Sequence, residues 1–165
     1  MIQRIQSIFL ALTATVMIGF AFVPIWEKTN DKTAEKIIFD AKSLTYYQAF
    51  VEDNSLNNLS VSESSNIYIL VVAFMSATLA LVSLFGYSKR VRQLKIGFLN
   101  SLLIVILISV TYYQITEANK ILGHSLYGTY RIGFFLPLFA LAFNLLASYY
   151  IKKDEDLVRS ADRFR

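Results

Sequence analysis

Four uninterrupted apolar runs dominate this chain, at 5–25, 67–87, 96–115 and 132–151. None contains Asp, Glu, Lys, Arg or His, and each reaches the ~20 residues that an α-helix needs to cross ~30 Å of hydrocarbon. The chain has 165 residues, 55% hydrophobic and 17% charged. That leaves too little polar surface to shield four such runs from water, so lipid must cover them. The sequence predicts an all-α integral membrane protein, a single four-transmembrane-helix bundle. The first run exceeds the ~7–15 apolar residues of a secretory signal, and no A-x-A cleavage pattern follows it. It therefore reads as a retained helix.

Basic residues near span ends stay in the cytoplasm. Arg4, the connector with Lys89, Arg90, Arg92 and Lys95, and the segment with Lys152, Lys153, Arg159, Arg163 and Arg165 place ten on one side, against six on the other. The first side is read as cytoplasmic, with both termini there. The formal charge is then +6 inside and −2 outside. Most of the ten tyrosines stand near span ends, where an amphipathic ring suits the headgroup region.

Residues 26–66 form a polar external loop, too long for a plain connector and expected to be partly structured. Residues 28–36 are helix-compatible, whereas 37–39 and 44–51 suit either short strands or a further helical turn. Residues 54–65, rich in Asn and Ser, read as an exposed turn region. The acidic residues of this loop lack the D-x-D-x-D-G spacing of a calcium site. The second external connector, 117–131, is short and holds the only histidine, His124.

Lys89, Arg90, Arg92 and Lys95 are expected to meet anionic lipid headgroups, each worth about 1 kcal/mol at such a surface. No nucleic-acid-binding fold surrounds them. In the segment 152–165, Leu157, Val158, Ala161 and Phe164 fall on one helical stripe, so a cytoplasmic amphipathic helix should continue the fourth span. It would lie along the inner leaflet or dock on a partner protein through Leu157, Val158, Arg159, Asp162, Arg163 and Phe164.

Transporters and proton relays reveal themselves by ionisable residues within spans. Here the strongest polar groups inside the runs are Asn100 and Asn144, expected to hydrogen-bond between helices for about 0.6 to 2 kcal/mol each. The pairs Ala73/Ala77, Ser76/Ala80 and Gly97/Ser101 offer small residues at close-approach spacing. Pro137 is expected to kink the fourth helix or mark its start. With no cysteine, no P-loop and no H-E-x-x-H or G-x-S-x-G pattern, no catalytic residue, metal site or cofactor is predicted.

Several blocks together resemble a known family. They are Met1-Ile-Gln-Arg-Ile-Gln6, the Pro24 and Trp26 that close the first run, Lys89-Arg-Val-Arg-Gln-Leu-Lys-Ile-Gly97, and above all Ile151-Lys-Lys-Asp-Glu-Asp-Leu-Val-Arg-Ser-Ala-Asp-Arg-Phe-Arg165. They resemble the bacterial membrane family catalogued as domain of unknown function 4293, across essentially the whole chain. The resemblance implies a four-span protein of the bacterial inner membrane with no assigned activity. It directs attention to Asp154, Glu155, Leu157, Val158, Arg159, Ser160, Asp162 and Arg163. The order of parts is also similar to that of claudin-like tetraspan proteins, without the cysteine pair expected in their first loop. The function expected is that of a non-enzymatic accessory or scaffold protein, contacting lipid and another membrane protein through its last helix and external loop. The alternative is a small transporter or lipid-handling protein with a polar seam around Asn100 and Asn144.

Overall fold

A computed structural model describes residues 2–30, 35–52, 55–86, 90–121 and 128–163. Four helices, α1 (Ile2–Phe20), α2 (Ile67–Phe85), α3 (Arg90–Ile121) and α4 (Ile132–Arg163), are joined by five strands, four between α1 and α2 and one between α3 and α4. These are β1 (Trp26–Asn30), β2 (Glu35–Phe39), β3 (Ser43–Glu52), β4 (Ser55–Ser65) and β5 (Thr129–Tyr130).

Around the bundle the helices follow chain order. Helix α1 packs on α2 and α4, and α3 packs on the same two. One antiparallel sheet in the order β4-β3-β2-β1-β5 caps the bundle. The loop between the first two helices supplies four of its strands, and the second connector supplies β5, pairing Trp26 with Tyr130 and Glu27 with Thr129.

The sheet overturns the all-α expectation, and the helices correct the four-span one. Three helices, α2, α3 and α4, are long and apolar enough to cross a membrane. The apolar part of α1, Ile5–Phe20, falls short of them. The reason lies at 19–25. The backbone tightens into turns with Ala21 N–H donating to the Ile18 carbonyl and Phe22 N–H to that of Gly19. Pro24 has no N–H and biases Val23 toward extended backbone. Ile25 is then taken by the sheet, its N–H on the Phe39 carbonyl at 2.9 Å and its carbonyl accepting from Arg131 N–H at 3.0 Å.

Residues 28–36, expected as helix, supply strand residues on either side of the undescribed 31–34. The Asn/Ser stretch expected as a turn is β4, the longest strand. Low strand propensity is overridden there because β3, rich in Tyr, Phe and Val, offers a ladder from Ser43↔Ser65 to Glu52↔Ser55, broken by a bulge at Tyr46/Tyr47. Helix α3 absorbs Arg90, Arg92 and Lys95, which stand in its first turns rather than in a loop. Helix α4 runs unbroken through the expected span end into 152–163. Pro137 sits in its second turn, where the missing N–H costs only the bond to the Gly133 carbonyl.

The bundle interior sets small and polar residues beside large apolar ones such as Leu10, Met17, Ile104 and Leu107, and its outside is apolar. Ala73, Ala77, Ala80, Ala140, Ala147, Ser76, Asn100 and Asn144 are buried, while Phe74, Phe85, Phe98, Phe139 and Leu145 are exposed. The exposed apolar faces and the small residues at helix contacts suit helices packed in lipid, where small side chains let backbones approach. Under the sheet Ile25, Trp26, Ile37 and Phe39 are buried.

Candidate functional site

Three polar constructions stand out. The first lies inside the bundle. Ser76 Oγ on α2 donates to Asn100 Oδ1 on α3 at 2.7 Å, and Asn100 Nδ2 donates to Asn144 Oδ1 on α4 at 3.2 Å. Asn144 Nδ2 in turn donates to the Gly97 carbonyl and to Ser101 Oγ, both at 2.8 Å. The two asparagines expected to bridge helices are thus brought together, in direct contact. Gly97 permits this approach, because a Cβ there would stand 2.6 Å from Ser148 Oγ. Nearer the other end, Gln93 Nε2 donates to the Ser83 carbonyl and Gln6 Nε2 to that of Tyr150. Sequence reading missed both glutamines: Gln93 sits among the basic residues between two runs, and Gln6 stands at the very start of the first run, two residues after Arg4.

The second construction joins sheet and bundle. Lys28 on β1 is buried, and its Nζ donates to the backbone carbonyl of Asn119 at 2.8 Å and to Asn119 Oδ1 at 2.7 Å. Asn119 stands in the last turn of α3, whose carbonyls lack intrahelical partners and carry the negative end of the helix dipole. The ammonium satisfies that end. Burial holds the Lys28 amine below the ordinary lysine range. The period-two pattern Trp26, Lys28, Asn30 is the only signal that pointed to this inward cation.

Beside Lys28 on the opposite face of β1, Glu27 bonds Arg131 and lies 3.7 Å from Lys36. The Arg131 guanidinium, with Lys36, holds its carboxyl below the usual range despite partial burial. Asp40, by contrast, is pushed up by burial. Tyr46 donates to Glu35 at 2.5 Å, and that bond raises its phenol. Gly128 backs the Trp26 ring so closely that a Cβ would fall 2.1 Å from an indole carbon.

The third construction is the end of the bundle opposite the sheet. Arg90 Nε on α3 pairs with Asp154 Oδ2 on α4 at 3.0 Å, so one of the four basic residues expected to meet headgroups is engaged within the protein. Arg92 and Lys95 are exposed, and Lys89 lies outside the described residues. Beyond Asp154, Leu157, Val158 and Arg159 are exposed on the extension of α4. Asp162 and Arg163 close that helix, and Phe164 lies outside the described residues, as does His124. Among the described residues no group of three metal-ligating side chains converges.

Fold and site together define a protein with three membrane-length helices under an antiparallel sheet, with buried amides joining helix to helix. The family described as domain of unknown function 4293 (DUF4293) matches residues 2–164, and the chain belongs to it. No curated protein matches the chain.

Proposed function

We propose that this chain is a non-enzymatic accessory or scaffold protein of the bacterial inner membrane, with the sheet on the outer side and the α4 extension in the cytoplasm. The observation that carries this reading is the continuity of α4 to Arg163, which holds Leu157 and Val158 about half exposed, at 52% and 41%, beyond the bundle. A helix that keeps apolar side chains in reach on a rigid stem is suited to a partner's groove. The rival reading, a polar seam for a substrate, is disfavoured because Asn100 and Asn144 spend their hydrogen bonds on each other, Ser76, Ser101 and Gly97.

The test is gentle extraction of the tagged full chain from its native membrane beside a chain ending at Lys153, with mass spectrometry of everything retained. A stoichiometric protein partner lost on truncation supports the accessory role. A chain that emerges from both preparations with lipid or a small molecule alone overturns it in favour of transport or lipid handling.

A further inference from the structure

At the end of the bundle opposite the sheet, charge is sorted by depth. Two contacts set the register of α3 against α4: Gly97 lies against Ser148, and Arg90 pairs with Asp154. Between these contacts fall Arg92 and Lys95 on α3 and Lys152 and Lys153 on α4, all four exposed. The stretch 148–154 rises about 9 Å along its helix, close to the roughly 5–8 Å of a headgroup layer on each side of the hydrocarbon. Its one carboxylate, Asp154, is taken by Arg90, and among the described residues no acidic group pairs with the other four cations. Glu155 and Asp156 come only beyond this layer. On its other side Phe98, Leu145 and Leu146 are exposed, an apolar surface suited to acyl chains.

Within the layer, α4 shapes a cleft. Tyr149, Lys152, Lys153, Asp156 and Leu157 recur at the spacing of one helical face and line about 450 Å³, inside the ~300–1,000 Å³ range of small-ligand sites. The same stripe runs back through Leu145 and Leu146, so one face passes from apolar to aromatic to cationic along the helix. Tyr149 is 61% exposed, and its ring stands edge-on to that of Tyr150 at 5.5 Å. An amphipathic ring at this depth marks the boundary between hydrocarbon and headgroups. Two ammonium groups against the single carboxylate of Asp156 leave the cleft with a net positive charge. A net-anionic guest is therefore favoured, whereas a zwitterionic phosphate brings its own cation to the lysines and gains less.

We propose that this cleft binds an anionic glycerophospholipid, with its phosphate on the Lys152 and Lys153 ammonium groups, its glycerol beside Tyr149 and its acyl chains along Leu145 and Leu146. The lipid contact expected of the 89–95 connector is thereby centred on α4 instead. The site rests on the membrane reading of the long helices and not on the accessory role.

The experiment is native mass spectrometry of the full chain in detergent, with equimolar phosphatidylglycerol and phosphatidylcholine carrying the same acyl chains. Phosphatidylglycerol should be retained over phosphatidylcholine by about tenfold, the scale that two cations supply at an anionic surface. The double variant Lys152→Gln/Lys153→Gln, at exposed positions, should remove that preference. Arg92→Gln/Lys95→Gln deletes the same charge at the same depth and should keep most of it. Should the α4 double variant not fold, Lys152→Gln and Lys153→Gln are read singly, each lowering the preference by about threefold. Equal retention of the two lipids by wild type, or a preference that falls as far in the α3 variant as in the α4 variants, overturns the site. A chain that stays in solution without detergent and retains neither lipid overturns the membrane reading itself.

Discussion

The junction under the sheet and the middle of the bundle are both buried among apolar side chains, yet polar groups enter them in different ways. At the junction Trp26, Ile25, Ile37 and Phe39 bury large apolar surface around one cation, Lys28. In the middle, alanines together with Met17, Ile104 and Leu107 surround a chain of amides and hydroxyls. The difference follows from the solvent each region leaves. The sheet residues leave water, so area removed from water supplies the cohesion, at roughly 25 cal/mol per Å². Helices of membrane-crossing length, once in hydrocarbon, would gain less from that exchange and more from close backbones and internal hydrogen bonds.

The sharpest way to break this contrast is Trp26→Ala. Truncating a buried tryptophan costs about 3–5 kcal/mol, and the loss should fall on the sheet. Protease should then cut within 26–66 while far-UV circular dichroism of the helices is retained; equal loosening of both would deny that the regions cohere separately. Next is Lys28→Met, which removes two bonds to Asn119 and should lower stability by about 2 kcal/mol. Hydrogen exchange at the end of α3 is the readout, with faster exchange there than in α2.

Asn144→Leu is expected to cost about 1 kcal/mol in a denaturing-detergent titration, less than Lys28→Met although it touches more partners. A larger loss than at Lys28 would reverse the ranking of the two regions. The smallest effect belongs to Glu27. Its carboxyl is held below the ordinary 4.5, so its contribution is full above that value and is lost as pH falls through the lower folded one. The ion pair with Arg131 is partly exposed and should be worth under about 1 kcal/mol. Asp40, raised by burial, works in the opposite sense over the same acid range. The comparison of wild type with Arg131→Gln therefore isolates Glu27, and acid unfolding followed by Trp26 fluorescence should be shallower in the variant.

Much of the bundle was legible in advance. The 67–87 and 132–151 runs begin where α2 and α4 begin, and Asn100 and Asn144 were marked as interhelical groups before their contact was visible. The helical stripe at Leu157 and Val158 was equally readable, because a 3.6-residue period is a local property. The sheet was not. Residues 55–65 carry the Asn and Ser of a turn, and only the neighbouring strand makes them β4. The early end of α1 was only partly legible: Pro24 marks a break, but the apolar run goes on past Phe20 to Ile25, whose place in the sheet is set by Phe39 and Arg131 holding its backbone.

What the sequence determined by itself is thus the set of long apolar helices, their polar interior residues and the charge asymmetry of their connectors, all of which follow from composition and short-range period. The tertiary structure decided that residues more than 100 positions apart, Glu27 and Arg131, share one sheet edge. It also decided that Lys28 turns inward to close α3. Strand pairing and burial depend on partners distant in the chain, and no local pattern encodes which partner arrives.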